Sequence, residues 1–383
     1  MKKLLVSGML AATPHHGGAT WATLQYVLGL RRLGHDVFFI EPVAAASLVP
    51  TGASLLASDN AAYFLATVRR FGLDGSAALL LAGTRETVGA TFGDLQRAAA
   101  RCDALINLSG VLARPEITSS IPIRAYVDLD PAFNQLWHAV EGIDVGMADH
   151  THFITVGLGL GEPDCPVPTC GVTWIRTLPP VVLDRWPAVD PPDAGPITTV
   201  GNWRSYGSIE VDGVLFGQKA HSTRQLMDIP TRSRERFLLA LSIHAHERRD
   251  LDALARHGWT TIDPTKVAAS PDAYQRFIQR SYAELGIAKS GYVLSRCGWF
   301  SDRSACYLAT SRPVVAQETG FSRHVPTGEG LLSFASVDEA ISALEAVRAD
   351  YRRHAIRARA LAEELFGSDL VLSRILREIG AAS

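Results

Sequence analysis

The apolar positions in the first 160 residues alternate between short continuous runs and stripes at helical spacing. Residues 4–10 (LLVSGML) are such a run, and they lead into the polar loop Pro14-His15-His16-Gly17-Gly18. Trp21, Leu24, Val27, Leu28 and Leu30 then mark the apolar face of a helix over residues 19–32, with Gly34 placed to end it. Residues 36–40 (DVFFI) read as a strand buried on both faces. Residues 104–108, 124–129 and 153–157 are further strand candidates, and a helix over 92–101 precedes them. Strands alternating with helices predict a parallel, doubly wound sheet with right-handed crossovers.

Proline then interrupts the pattern. Nine of the 20 prolines lie between Pro163 and Pro196, where they break regular elements. Residues 161–196 are therefore expected to link a domain of residues 1–160 to a second one of residues 197–365. Residues 366–383 form a terminal helix placed to cross back to the first domain. In the second domain, residues 197–201 and 259–262 predict strands, and residues 222–227, 234–242, 248–257 and 272–285 predict helices. Residues 288–319 (AKSGYVLSRCGWFSDRSACYLATSRPVVAQET) read as a strand at 292–294, a loop to Asp302, a short helix at 304–310 and a buried strand from Pro313. Ser336-Val337-Asp338-Glu339 is a capping box that starts a long amphipathic helix.

The loop that enters the 304–310 helix is a candidate ligand site. Unpaired N–H groups and the helix dipole favour an anion at such an entry. Ser301, Asp302, Arg303 and Ser304 add donors and acceptors for a diphosphate or a ribose. Two nucleotide-binding-type domains make the cleft between them the expected functional place.

Composition narrows the partners. An apolar fraction of 47% and a charged fraction of 20% are globular values, and a net charge of −2 gives no general case for nucleic acid. Lys and Arg number 12 against 15 Asp and Glu up to residue 180, and 25 against 24 after it, so an anionic ligand belongs with the second half. Five cysteines without a CxxC pair fit a reducing cytoplasm; Cys165 and Cys170, five apart in the proline-rich segment, could touch a metal or each other. The start MKKLLVSGMLAA resembles a secretory leader, but Ser7 and Gly8 interrupt its apolar run, and it reads as a first strand. No window is long enough for an integral membrane helix, so a cytoplasmic protein is expected.

The two domains, the glycine loop after the first strand and the run ATSRPVV at residues 309–315 resemble the GT-B glycosyltransferases. That run is similar to the A-x-G-x-P-V-V segment of the large retaining group that uses nucleotide sugars. The combination GWFSDRSACYLAT…RPVVAQETGF also resembles an actinobacterial-type group of GT-B proteins. The resemblance implies an α/β, GT-B architecture of two Rossmann-like domains across a cleft. It implies a nucleotide-sugar donor in the C-terminal domain, a small hydroxylated acceptor in the N-terminal one, a nucleoside diphosphate product, and no cofactor or metal. A non-hydrolysing nucleotide-sugar epimerase, which shares the fold, and a sugar-binding protein without catalysis are the rival expectations. The two glutamates usual around this loop are replaced by Gly298 and Cys306, and Ser311 stands where a glycine is usual. Asp302 or Glu318 is then the carboxylate left to grip donor hydroxyls. Neither retention nor inversion follows.

Individual residues follow from this reading. His15 and His16 face the cleft in such folds, and an imidazole that titrates near neutrality can take the acceptor's proton; His16, beside the glycines, is preferred. The same loop allows the alternative of backbone contact to phosphate. Gly17 and Gly18 permit close approach of backbone to a ligand. Asp128 and Asp130 end the strand RAYVDLDP; alternation puts both on one face, Asp128 as a base or orienting group and Asp130 as an acceptor contact. Arg204, Lys289 and Arg303 are the expected counter-charges for a diphosphate. Arg296, Thr319 and Gly320 complete the expected donor-binding set. The DxD at Asp128-Leu129-Asp130 is in the half opposite the donor.

Overall fold

The computed structural model describes residues 1–382 apart from Pro191 and Asp193, so these two positions of the prolyl segment lie outside the described residues. The first sheet contains β1 (Lys3–Ser7), β2 (Asp36–Val43), β3 (Ala77–Leu81), β4 (Thr87–Gly89), β5 (Ala104–Leu108), β6 (Ile123–Asp128), β7 (His152–Thr155) and β8 (Trp174–Arg176). Their order is β4-β3-β2-β1-β5-β6-β7-β8, parallel except for β3 with β4. Leu4, Leu5, Val6, Ala104 and Leu105 are buried because helices cover both faces. The chain winds one way from β1 and the other way from β5, which leaves a crevice beyond the carboxyl ends of those two strands.

The second half repeats the plan with β9 (Ile197–Asn202), a hairpin of β10 (Ile209–Val211) and β11 (Val214–Phe216), then β12 (Phe237–Ser242), β13 (Thr260–Ile262), β14 (Ala283–Gly286), β15 (Val314–Gln317) and β16 (Leu331–Phe334). Its six-stranded sheet runs β13-β12-β9-β14-β15-β16, with every pairing parallel. The switch point lies between β9 and β14.

Several stretches depart from the sequence-based expectation. Residues 234–242, expected as a helix, contain β12, because FLLALS is enclosed between two parallel neighbours and tertiary burial overrides the helix preference of Leu and Ala. The helix expected over 272–285 stops at Gln279, and AELG becomes β14. That places the strand before Lys289, and Tyr292-Val293-Leu294 forms part of the short Ser290–Ser295 helix instead of a strand. Three apolar residues do not distinguish the two periods. The first sheet also extends to Arg176, inside the segment read as linker. The helix Asp59–Arg70 and strands β3 and β4 went unread.

The two halves share one apolar core along the Gly17–Arg32 helix. Leu24 and Val27 belong to the same buried cluster as Tyr274 and Tyr307 of the second half and Leu372 of the terminal Ser368–Glu378 helix. Gly29 admits that terminal helix: a Cβ there would lie 2.5 Å from a Leu372 methyl. Buried Gln25 accepts from Val182 N–H at 2.7 Å, and the Trp21 indole donates to Pro271 O at 2.9 Å. A helix enclosed on all sides loses the polar face of a surface helix. Arg312, also buried, donates to the carbonyls of Gln279, Val189 and Asp190 and so ties the prolyl segment to the second domain. No helix among the described residues is long and apolar enough to cross a membrane.

Candidate active site

The carboxyl ends of both sheets open onto one cleft of about 440 Å³ between the domains. The first domain contributes the loop after β1 and the end of β6, and the second contributes the ends of β9 and β14 and the start of the Asp302–Ala309 helix.

The loop after β1 is held by side chains buried beneath it. Both oxygens of Glu41, at 0% exposure, accept from Ala11 N–H at 2.9 Å, and one accepts from Ala12 N–H at 2.5 Å. Burial pushes this carboxyl up to about 7, against the three backbone donors that favour its charge. Asn60 answers from the other side, donating to Ala11 O at 2.8 Å. Thr20 ties Leu10 O at 3.0 Å to the Tyr63 hydroxyl at 2.9 Å. The chain then passes through His15 in a left-handed conformation (φ 65°), its ring edge-on to Tyr63 at 5.3 Å. His16 caps the Gly17–Arg32 helix without a side-chain hydrogen bond to it, which leaves its imidazole available to the cleft. Burial, then the neighbouring His15, lowers the His16 pKa below its ordinary value, so the neutral, proton-accepting form is favoured.

Gly17 and Gly18 line the cleft, but their close approach is to the other domain. Gly17 N–H donates to Ala268 O at 2.9 Å, and a Cβ there would stand 2.3 Å from Ser270 O. A Cβ on Gly18 would meet the Tyr274 ring at 2.9 Å.

The opposite wall carries the charge. Arg303 reaches back to Glu284 at 2.5 Å and to Val200 O at 2.9 Å. Lys289 pairs with Asp130 across the domain boundary at 3.1 Å, so both residues face the cleft already joined. Lys219, at the start of the Lys219–Gln225 helix, donates to Ile287 O at 2.7 Å and forms no ion pair among the described residues. Its pKa falls well below the ordinary lysine value through burial, then through repulsion from Arg303, with Glu284 opposing and Lys289 adding to the repulsion. Ser301 and Asp302 complete this wall, and burial raises the Asp302 carboxyl.

Other predicted residues lie elsewhere. Asp128 is fully buried and accepts from Asp130 N–H, Asn134, Gln135 and Thr155 at 2.7–3.0 Å, so no lone pair points at a substrate. The alternation argument fails because β6 ends at Asp128 and the chain turns before Asp130. Arg204 is exposed and pairs with Glu247 at 2.6 Å, and it does not line the cleft although Asn202, Ser205 and Tyr206 do. Arg296 occupies the left-handed C-cap (φ 49°) of the Ser290–Ser295 helix, 4.0 Å from Asp164. Ser304 is buried behind Arg303, against a small gap near Gly286 and Ala316. Glu318 accepts from Gly320 N–H at 2.6 Å, and Thr319 donates to Trp299 O at 2.6 Å. Gly320 (φ 94°) lies where a Cβ would meet Arg296 O at 2.6 Å. These last three shape the loop and do not line the cleft, so of Asp302 and Glu318 only Asp302 faces it. Cys165 and Cys170 are both free thiols.

Sequence reading missed Lys219, Tyr206, Glu41 and Asn60. Glu41 carried the one available signal, a carboxylate within the apolar strand DVFFIEPV. Lys219 carried none, being one lysine at a helix start.

No protein-family model matches the sequence, and no curated protein does. Solved structures do match along nearly the whole length. HepE of Anabaena, solved with UDP and glucose, superposes with a TM-score of 0.61 at 10% identity, covering 100% of both chains. An α-glucosyltransferase solved with UDP and a 13-mer DNA containing an HMU base gives 0.62 at 12% identity, over 99% of this chain and 100% of the other. Sucrose-phosphate synthase from Thermosynechococcus elongatus gives 0.56 at 13% identity, over 99% of each. With two parallel sheets, each reversing its winding at the cleft, the chain has the GT-B fold of two facing Rossmann-like domains.

Proposed function

We propose that this protein is a glycosyltransferase that moves a sugar from a nucleotide-activated donor to a small hydroxylated acceptor, without a metal ion. One observation carries the reading: Lys219 and Asp302 face the same cleft, and neither forms an ion pair among the described residues. A lysine without an ion-pair partner beside Arg303, its charged form disfavoured by burial and repulsion, gains from an anion, and a diphosphate supplies one. A carboxyl with no side-chain partner calls for hydroxyl donors, which a ribose or a sugar ring supplies. The UDP in two of the superposed structures is a ligand of this chemistry.

In this reading Lys219 and Arg303, with the N-terminus of the Asp302–Ala309 helix, stabilise the charge that builds on the departing nucleoside diphosphate. These fixed charges take the part that a divalent cation plays elsewhere, and activity should survive excess EDTA. His16, on the opposite wall and with its pKa lowered, takes the acceptor hydroxyl's proton as the new bond forms.

A thermal-shift panel of UDP-, GDP-, ADP- and TDP-sugars, run on the wild type and Lys219→Met, tests the site. One donor should raise the wild-type melting temperature, because a ligand of the native state stabilises it, and the variant should lose that shift. With that donor, release of nucleoside diphosphate together with a glycosylated acceptor supports transfer. Conversion of the donor's own sugar would show an epimerase instead, and no shift with any donor would overturn the reading.

A further inference from the structure

Lys289 is a cleft cation caged by aromatic rings, and the partner it holds belongs to the other domain. Its ammonium contacts both oxygens of Asp130, at 3.1 and 3.2 Å, and the hydroxyls of Tyr206 and Tyr292. Three rings surround it, with Tyr206 3.8 Å, Phe133 5.1 Å and Tyr292 5.2 Å from ring centre to nitrogen. The cage fixes the ammonium, since its stem is packed and its charge faces aromatic surfaces. Asp130 is less confined. It stands past the end of β6, with a side chain 25% exposed against 15% for Lys289, and it lines the cleft. The Tyr292 hydroxyl also donates to Asp130. Lys219 lies close enough on the same wall to be repelled by Lys289.

Of these two lysines only Lys289 has an ion-pair partner among the described residues, and that partner is Asp130. A diphosphate between them would satisfy Lys219 and compete with Asp130 for Lys289. The exchange is inexpensive in geometry: the lysine stays in its cage, and the partly exposed carboxylate gives way. A fully buried pair would resist separation, and a fully exposed one would gain little from it.

We propose that Asp130 acts as a displaceable stand-in for the donor diphosphate on Lys289, and that the donor, on binding, frees the Asp130 carboxylate to receive the acceptor hydroxyl. This rests on the reading of the cleft as a nucleotide-sugar site and adds an order to it, donor before acceptor. Asp130 then joins the domains before the donor binds and recognises the acceptor afterwards.

Calorimetric titration of inorganic pyrophosphate and of UDP into the wild type, Asp130→Asn, Lys289→Met and the double variant tests this. Removing the competitor should tighten binding of both probes about 3- to 10-fold, opposite to the effect of general damage. Lys289→Met should weaken both about 10-fold, and in that background Asp130→Asn should change affinity by less than about 2-fold, since the competition is gone. Asp130→Ser, which removes the charge with a smaller group, should repeat the tightening if the asparagine variant melts early, and Asp130→Glu should remain near wild type. Unchanged or weaker binding by both charge-removing variants overturns the inference while the diphosphate site stands. So does equal tightening with and without Lys289, which would be a general charge effect. No binding of either probe to the wild type overturns the inference and the diphosphate site together.

Discussion

Gly17 in the N-terminal domain and Gly298 in the C-terminal domain each sit where a loop of one domain meets the backbone of the other. Gly17 N–H donates to Ala268 O across the boundary. Gly298 (φ 74°) lies against Gly159, where a Cβ would stand 2.5 Å from the Gly159 nitrogen, and Cys297 O accepts from Gly159 N–H at 2.9 Å. The mechanical role is the same, but the loops are built differently. The first is clamped by neutral backbone contacts over a buried carboxylate, and it presents imidazoles. The second is held by Thr319, whose carbonyl accepts from Gly298 N–H at 2.7 Å, and it leads to Ser301, Asp302 and Arg303. One wall thus carries imidazoles, and the other carries the side chains of Lys219, Lys289, Asp302 and Arg303. The glycines hold the walls together, and polar residues near them in each loop (His15 and His16 before Gly17, Ser301 to Arg303 after Gly298) face the cleft.

His16→Ala tests the division most sharply. Turnover should fall by roughly 10²- to 10⁴-fold, the usual worth of a general base, while affinity for the nucleoside diphosphate changes little. Because the His16 pKa is lowered, the wild-type rate should fall with acid only as the pH drops through a value below 6.5, where the imidazole takes up a proton. That acid limb should vanish in the alanine variant. Near-normal turnover after replacing both His15 and His16 would leave the first loop a purely mechanical role.

Gly17→Ala and Gly298→Ala should each destabilise the protein by about 1–3 kcal/mol, the range for inserting a methyl where none fits. Denaturant unfolding reads the loss, and small-angle scattering reads any opening of the cleft. If either variant keeps full stability while losing donor affinity, that glycine serves the ligand and the symmetry between the loops is broken.

The smallest effects belong to cations outside the cleft. Arg204→Ala and Arg296→Ala should change stability by less than about 0.5 kcal/mol, and diphosphate binding by less than about 2-fold, because exposed ion pairs contribute little. A larger loss of binding in either would mean that the charged wall extends beyond the cleft seen here.

Much of the fold was legible in the chain. The apolar runs at residues 36–40 and 104–108 mark β2 and β5, and Gly34 (φ 82°) ends the first long helix where expected. The misread segments are those where a short run of Leu, Ala or Tyr is compatible with both periods, as in FLLALS and in Tyr292-Val293-Leu294. The site was legible in part. Both glycine-bearing loops were found because a loop between a strand and a helix has a recognisable pattern. Their partners, Glu41, Asn60, Lys219 and Tyr206, come from distant positions and leave no pattern near the loops.

By itself, the sequence determined the alternation of buried strands and helices, and with it two parallel sheets whose carboxyl ends carry the functional loops. Local periodicity and turn chemistry suffice for that, because burial on both faces demands continuous apolar strands. Which polar side chains face the cleft was decided only by the tertiary structure. Asp128 and Asp130 are two residues apart, yet one is consumed by four internal donors and the other reaches Lys289 of the opposite domain. Arg204 was expected to meet an anion and Lys219 was not singled out, yet Glu247 engages the first while the second faces the cleft with no ion pair among the described residues. Whether a charge is neutralised depends on what the fold brings within about 4 Å of it, a distance that spacing along the chain does not specify.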